Sequence, residues 1–323
     1  MTKFIKNIVR QVVRHDDISI LALPYNGVYD DTFAELTQTS YHCVKEGLQT
    51  LMGKIVNIEE PYPHLAWLTE SHTLFKHDAT FDFILCHNRI AQWTQAQNLA
   101  QQLHIPILII DHLAPSRNAP IDKINQCRQA TDSIISIATN QAAYEAWNSE
   151  EIIYDAIPIP DYEDERISEV MIIGNFLPQE FELVKSVVEP YDNSHIVGHN
   201  PGLSAPFTSF EELEERLLQT QIYIHMATEV TLPHHLLTAM ACGCAIVATK
   251  NPATESIFDS TNAKLVDSVD DIHDAVKTVL RDQKMRDDLG NAAKEIIQQH
   301  FTQQQFVSNW KPVLNRMKEE VYS

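Results

Sequence analysis

Glycine is scarce, with eight residues in a chain of 323, and none form a G-x-G-x-x-G or P-loop phosphate cradle. G-x-S-x-G and H-E-x-x-H are missing too, which removes two common hydrolase signatures. Basic charge is also short: Lys plus Arg number 24 against 44 Asp plus Glu, a formal net charge of −20. The deficit runs through the whole chain, with 11 basic against 18 acidic residues up to Pro160 and 13 against 26 beyond it. No basic domain is therefore on offer to nucleic acid or an anionic membrane, and a nucleic-acid partner is disfavoured. No stretch approaches the ~18 uncharged apolar residues of a membrane span. Five cysteines are an odd number, and a chain of this length needs no staples, so they read as buried thiols in a reducing, cytoplasmic compartment. Cys242 and Cys244 form CxC with no second pair, so no metal site is expected.

The start of the chain sets Phe4, Ile5, Ile8, Val9, Val12 and Val13 among Lys3, Lys6, Arg10 and Arg14. It lacks the apolar core and cleavage site of a signal peptide. It reads as an amphipathic helix, either packed on its own domain or touching a membrane surface through residues 3–14.

What is present is an alternation of short β-branched runs with amphipathic stretches. Strands are expected at Ile18–Leu23, Lys54–Ile58, Phe81–Cys86, Pro106–Asp111 and Ser133–Ala138, then at Val170–Gly174, His195–Gly198, Ile222–Met226, Ala245–Thr249 and Lys264–Val266. Such alternation indicates parallel sheets with crossover helices, and two series indicate two doubly wound α/β domains. The Pro-rich and then acidic segment Ile157–Glu165 reads as the join. Ser209 and Ser268 open helices with capping signals. The apolar face Met285, Leu289, Ala292, Ala293, Ile296, Ile297 and Phe301 marks a long late helix. A last helix, about 304–320, presents Phe306, Trp310, Val313 and Met317.

The most specific stretch runs from Ile222 to Thr249: a buried strand, a loop, a helix opened by Pro233, a glycine stop at Gly243 and a second buried strand. A loop feeding a helix N-terminus at the carboxyl end of a strand is where α/β proteins bind phosphates. Thr238-Ala-Met-Ala-Cys-Gly243 followed by Ala245-Ile-Val-Ala-Thr249 resembles the donor-binding region of the retaining GT-B glycosyltransferases of the family 4, or group 1, type. Ile172-Ile-Gly174, His195-Ile-Val-Gly198, Ser209-Phe-Glu-Glu212, Glu255-Ser-Ile257 with Leu265-Val266, and His104-Ile-Pro-Ile-Leu-Ile-Ile-Asp-His112 resemble further segments of that family. The resemblance spans most of residues 80–310.

The resemblance implies two Rossmann-like domains facing across a cleft. Residues 1–160 would be the acceptor side, with the last helix packing back on it, and residues 161–303 would bind the nucleotide-sugar donor. It implies sugar transfer to a saccharide or other acceptor with retention and without a metal or other cofactor, His112 and Glu229 being the catalytic candidates. Donor-binding candidates are Asn175, His199, His225, Pro233, His234, Thr238 and Lys250; acceptor-side candidates are Asn26, Gly27 and Arg89. Neutral imidazoles at His225, His234 and His235 can donate to phosphate oxygens; otherwise they line a polar loop. Lys250 follows a strand end and either reaches the cleft or is a solvated surface residue.

The departures are specific. The family's second donor-site Glu falls on Thr238, and its first on Val230, one residue beyond Glu229. The Arg after the first strand of the second domain becomes Asn175, and the Lys position falls near Glu180. These losses favour, as the alternative, a catalytically silent GT-B protein that binds a sugar, a nucleotide or a protein partner. A glycosyltransferase acting on DNA bases is opposed by the acidity.

Overall fold

Two all-parallel sheets organise the chain in the computed structural model, which describes residues 18–23, 27–44, 64–68, 81–87, 89–115, 121–129, 135–161, 164–226 and 232–322. The strands are β1 (Ser19–Leu23), β2 (Ser40–Val44), β3 (Leu65–Leu68), β4 (Phe83–Cys86), β5 (Ile107–Asp111), β6 (Ile135–Ala138), β7 (Glu151–Ile152), β8 (Ser168–Ile173), β9 (His195–Val197), β10 (Thr220–His225), β11 (Ala245–Thr249) and β12 (Lys264–Val266). The α-helices are α1 (Gly27–Thr37), α2 (Arg89–Leu103), α3 (Ile121–Gln129), α4 (Gln141–Trp147), α5 (Phe181–Val188), α6 (Phe210–Leu218), α7 (His234–Ala241), α8 (Pro252–Glu255), α9 (Ile272–Arg281), α10 (Gln283–His300) and α11 (Gln303–Tyr322). The first sheet has the order β3-β2-β1-β4-β5-β6-β7 and the second β12-β11-β10-β8-β9. Every ladder in both is parallel. This is the expected doubly wound α/β architecture.

The apolar runs explain the strands. Ile107 to Ile110 and Ile222 to Ile224 are buried along their whole length, as strands covered by helices on both faces must be. Three strands escaped the reading. Ser40–Val44 carries Ser40 and His42 in its pattern, Leu65–Leu68 is four residues long, and β7 is a two-residue edge. The expected strand Lys54–Ile58 and the basic start, residues 3–14, lie outside the described residues. Among the described residues, no helix is long and apolar enough to cross a membrane. All five cysteines are free and buried. In the second domain α10 lies close over the end of α7. Gly243 closes that turn at φ +72°, and a Cβ on Gly290 would stand 2.3 Å from its carbonyl oxygen.

The chain crosses between domains twice. Ile153 and Ala156 belong to the first core, whereas Ile157 belongs to the second. Phe301 is still in the second core, and Phe306, Trp310, Val313, Leu314 and Met317 of α11 return to the first, against Phe33 and the strands β1, β2, β4, β5 and β6. The two crossings are joined by a hydrogen bond from the Ile157 N–H to the Phe301 carbonyl, 2.8 Å. Trp310 meets Phe33 edge-on with ring centroids 4.9 Å apart. A second contact lies between α4, which follows β6, and α8, which follows β11; Ala142 of α4 belongs to the second core. Since both helices leave the carboxyl ends of their strands, those ends of the two sheets face each other.

Two outcomes follow. Trp310→Ala removes a fully buried ring from a core 150 residues or more away in sequence, and should cost about 3–5 kcal/mol, read as a lower urea midpoint. Asp155, beside the first crossing, has its Oδ1 buried without a hydrogen-bond partner, and burial pushes its carboxyl up to about 7. The folded state then keeps a proton that the unfolded chain releases across pH ~4–7, so stability falls as pH rises through that window. Asp155→Asn should remove this dependence and gain roughly 1–3 kcal/mol at pH 8 relative to pH 5, measured by denaturation at both pH values.

Candidate functional site

In the second sheet the strand order turns between β8 and β10, and the crevice outside such a turn is the usual ligand position of an open α/β sheet. β10 delivers His225 there. It is 3% exposed, its Nε2 has no hydrogen-bond partner, and burial lowers its pKa to about 4. Pro233 takes the N-cap of α7 in extended conformation and offers no side-chain cap, which leaves first-turn N–H groups available to an outside acceptor. His234 opens the helix, edge-on to Phe210, its pKa lowered by burial to about 4. His235 is lowered to about 3 by burial and then by His225 and His234. All three imidazoles are neutral at pH 7. Thr238 is 1% exposed and donates its hydroxyl to the His234 carbonyl at 2.9 Å, so its side chain is engaged inside the helix. Glu229 lies outside the described residues.

The loops after β8 and β9 are sewn together by two asparagines. Asn175 Oδ1 accepts from the His199 N–H at 2.9 Å. Asn200, 1% exposed, accepts from the Phe176 N–H at 2.7 Å and donates to the Gly174 carbonyl at 2.9 Å and to Ser204 Oγ at 2.8 Å. The loops approach so closely that a Cβ on Gly198, at φ +141°, would fall 1.9 Å from the Gly174 oxygen. Sequence reasoning named His199 as a donor-binding candidate and missed Asn200, although an Asn two residues after a strand-end glycine is a signal. Glu180 accepts from the Leu177 N–H at 2.7 Å. Lys250 leaves β11 and pairs with Asp267 at 2.6 Å, both partly exposed.

In the first sheet β5 ends in Asp111 and His112, 2% and 4% exposed. The Asn140 side chain donates to the His112 carbonyl at 2.9 Å and caps α4 by accepting from the Ala143 N–H at 2.9 Å. The His112 ring contacts His87 through Nε2 and His87 Nδ1 at 3.0 Å. His87 Nε2 lies 3.0 Å from Asp30 Oδ1 and 3.0 Å from the Tyr41 hydroxyl, which itself donates to Asp30 at 2.5 Å. Sequence reasoning named His112 and overlooked His87, although it directly follows the apolar strand Phe83–Cys86.

Arg89 does not face an acceptor or a phosphate. It is 2% exposed and its guanidinium forks onto Asp111, Nε to Oδ1 at 3.0 Å and Nη2 to Oδ2 at 2.6 Å, with Ser136 completing the pair. Asp111, at the end of the neighbouring strand, claims it because a buried carboxylate requires a partner. Gly27 begins α1; Asn26 lies outside the described residues. Arg89→Met leaves Asp111 buried and unpaired, so it should destabilise the fold by about 3–5 kcal/mol, seen in urea unfolding.

Residues 204–296 match the family model described as glycosyl transferases group 1. No curated protein matches the chain in sequence. Among solved structures, the Anabaena HepE protein in complex with UDP and glucose is similar at 12% identity and a TM-score of 0.70, over 92% of this chain and 99% of that one. Sucrose-phosphate synthase from Thermosynechococcus elongatus is similar at 13% identity and a TM-score of 0.65, over 94% and 100%. S. aureus TarM is similar at 14% identity and a TM-score of 0.57 over 75% of this chain, which spans 58% of TarM's length; another TarM structure gives 57%. The chain thus has the fold of the GT-B glycosyltransferases, and its second domain carries the sequence signature of their group 1.

Proposed function

We propose that the protein transfers a glycosyl group from a nucleotide-sugar donor to an acceptor, with retention at the anomeric carbon. The observation that carries this reading is the start of α7, where uncapped first-turn N–H groups adjoin the unpartnered Nε2 of His225 at the sheet's ligand-binding edge. A diphosphate fits such a place: helix-terminal N–H groups point at its oxygens, and the helix dipole favours its charge. The facing carboxyl edges of the two sheets bring the His112 strand end towards the same space. The uridine diphosphate bound by HepE supports a nucleotide donor and makes UDP-sugars the first to test.

In this reading, the N–H groups that follow Pro233 at the start of α7, with the imidazoles of His234 and His225, hold the donor diphosphate by neutral hydrogen bonds. Two cations of this domain are engaged elsewhere, Lys250 on Asp267 and Arg166 on the backbone carbonyls of Thr220 and Cys242. Preorganised donors stabilise the diphosphate as its charge develops on leaving. Asn175 and His199 border the donor from the β8 and β9 loops, and Glu229 orients sugar hydroxyls. No step in this scheme calls for a metal ion.

The second reading, a binding protein without turnover, is favoured by that same engagement of Lys250 and by the buried hydroxyl of Thr238. Melting curves with UDP-, GDP- and dTDP-sugars separate the two. A donor at about 100 times its Kd should raise stability by ~2.7 kcal/mol, and an acceptor should then release free nucleotide. Binding without release under a broad acceptor panel would select the silent protein; no shift with any donor and no nucleotide release would sink the transfer reading and favour a silent protein with another partner. His225→Ala should weaken donor binding about tenfold, and His112→Ala should lower kcat at least ~10-fold.

A further inference from the structure

Three consecutive carbonyls mark the end of β5, those of Asp111, His112 and Leu113, and the β6–α4 unit meets each with a different kind of donor. The Thr139 N–H donates to the Asp111 carbonyl at 3.1 Å. The Asn140 amide donates through Nδ2 to the His112 carbonyl at 2.9 Å, and the Trp147 indole through Nε1 to the Leu113 carbonyl at 2.7 Å. The first bond continues the pairing of β5 with β6, where Asp111 lies opposite Ala138. The other two come from side chains that bracket α4, one at its N-cap and one at its last residue.

Neither side chain is explained by the helix alone. Capping α4 takes one acceptor, which Asn140 supplies through Oδ1 to the Ala143 N–H at 2.9 Å; serine or aspartate caps as well. Asparagine adds a donor nitrogen on the other arm of the amide, and that nitrogen is turned to His112. The residue is buried, so losing either partner would strand a desolvated polar group. Trp147 follows the same logic. Its ring belongs to the core that includes Ile109 and Ala143 and lies 5.0 Å from the Arg89 guanidinium, a packing that phenylalanine also provides. The indole N–H is what tryptophan adds, and it is used on Leu113.

A peptide group is planar, so fixing its carbonyl fixes the plane. Holding the carbonyls of Asp111 and His112 sets the peptide planes on both sides of the His112 Cα, and holding Leu113 carries the restraint one residue further. The rotamers open to a side chain depend on its backbone angles, and the edge of Tyr29 meets the resulting imidazole with ring centroids 4.8 Å apart.

We propose that Asn140 and Trp147 are positioning residues for His112: they hold the peptides that follow β5 so that the imidazole is presented in one orientation. The proposal rests on the glycosyl-transfer reading, in which His112 serves the transferred sugar, and deepens it. Both residues act through His112 rather than by touching a substrate. Their helix is also the one that meets α8, so His112 is set from the side of its domain that faces the second domain.

The test is a double-mutant cycle on the full chain. Asn140→Ser keeps a cap for α4 but has no nitrogen to reach the His112 carbonyl, and Trp147→Phe keeps an aromatic ring without its N–H. Each should lower kcat about fivefold with the UDP-sugar KM within about twofold, because misplacing a working group costs rate more than binding. Made in the His112→Ala background, each should cost less than about twofold more, since the ring they position is gone. A kcat within about twofold of wild type in both variants, or a loss that persists in full without the His112 ring, would overturn the proposal. A second readout needs no turnover. In NMR spectra of protein carrying isotope-labelled histidine, the His112 Cε1–H signal, identified by its loss in His112→Ala, should move in both variants. An unmoved signal would overturn the placement. A wild type that transfers no sugar, while this signal moves in both variants, would overturn the glycosyl-transfer reading and leave the placement standing.

Discussion

Asn140 is the point on which the two halves of the site depend. One buried amide holds the carbonyl of His112 and caps the helix that reaches the second domain. The end of β5 therefore cannot shift without loosening α4, and α4 cannot shift without disturbing its contact with α8. Asn140 thereby couples the end of β5 to α4 through two buried hydrogen bonds.

The two sheet edges solve opposite electrostatic problems. The first contains charge and neutralises it internally: Arg89 forks onto Asp111, and two serines complete that carboxylate's bonds. The second assembles three imidazoles that burial keeps neutral and a helix end without a side-chain cap. For the proposed uptake of a diphosphate, dipoles and neutral donors avoid placing buried cations beside an empty site, where each would carry a desolvation penalty.

How far the sequence could be read depended on whether a residue's role is set by its own segment. Ile222–Ile224, Ala245–Thr249 and the Pro233-to-Gly243 helix are locally determined, by apolar runs and by proline and glycine punctuation, and they were legible. Strand Ser40–Val44 was not, since its alternation of Tyr41 and Cys43 with Ser40 and His42 is only five residues long and its burial comes from neighbours distant in sequence. Arg89 looked available because a sequence does not reveal that Asp111, 22 residues on, ends the adjoining strand and captures it. His87 was hidden for the same reason: its meaning comes from Asp30 and His112, on other strands and helices. Asn200 was not singled out, and its hydrogen bonds to Phe176 and Gly174 emerge only when β8 and β9 lie side by side.

The return of α11 has a consequence for biosynthesis. Phe33 and its neighbours on the first sheet remain uncovered until α11 leaves the ribosome, so the first core closes only after the residues of the second have been made. The second core, whose residues apart from Ala142 come from Ile157 to Phe301, is bracketed by that delay and can close beforehand. Severing the polypeptide near residue 160 would release an amino-terminal fragment with an apolar scar, prone to self-association, rather than an autonomous folding unit.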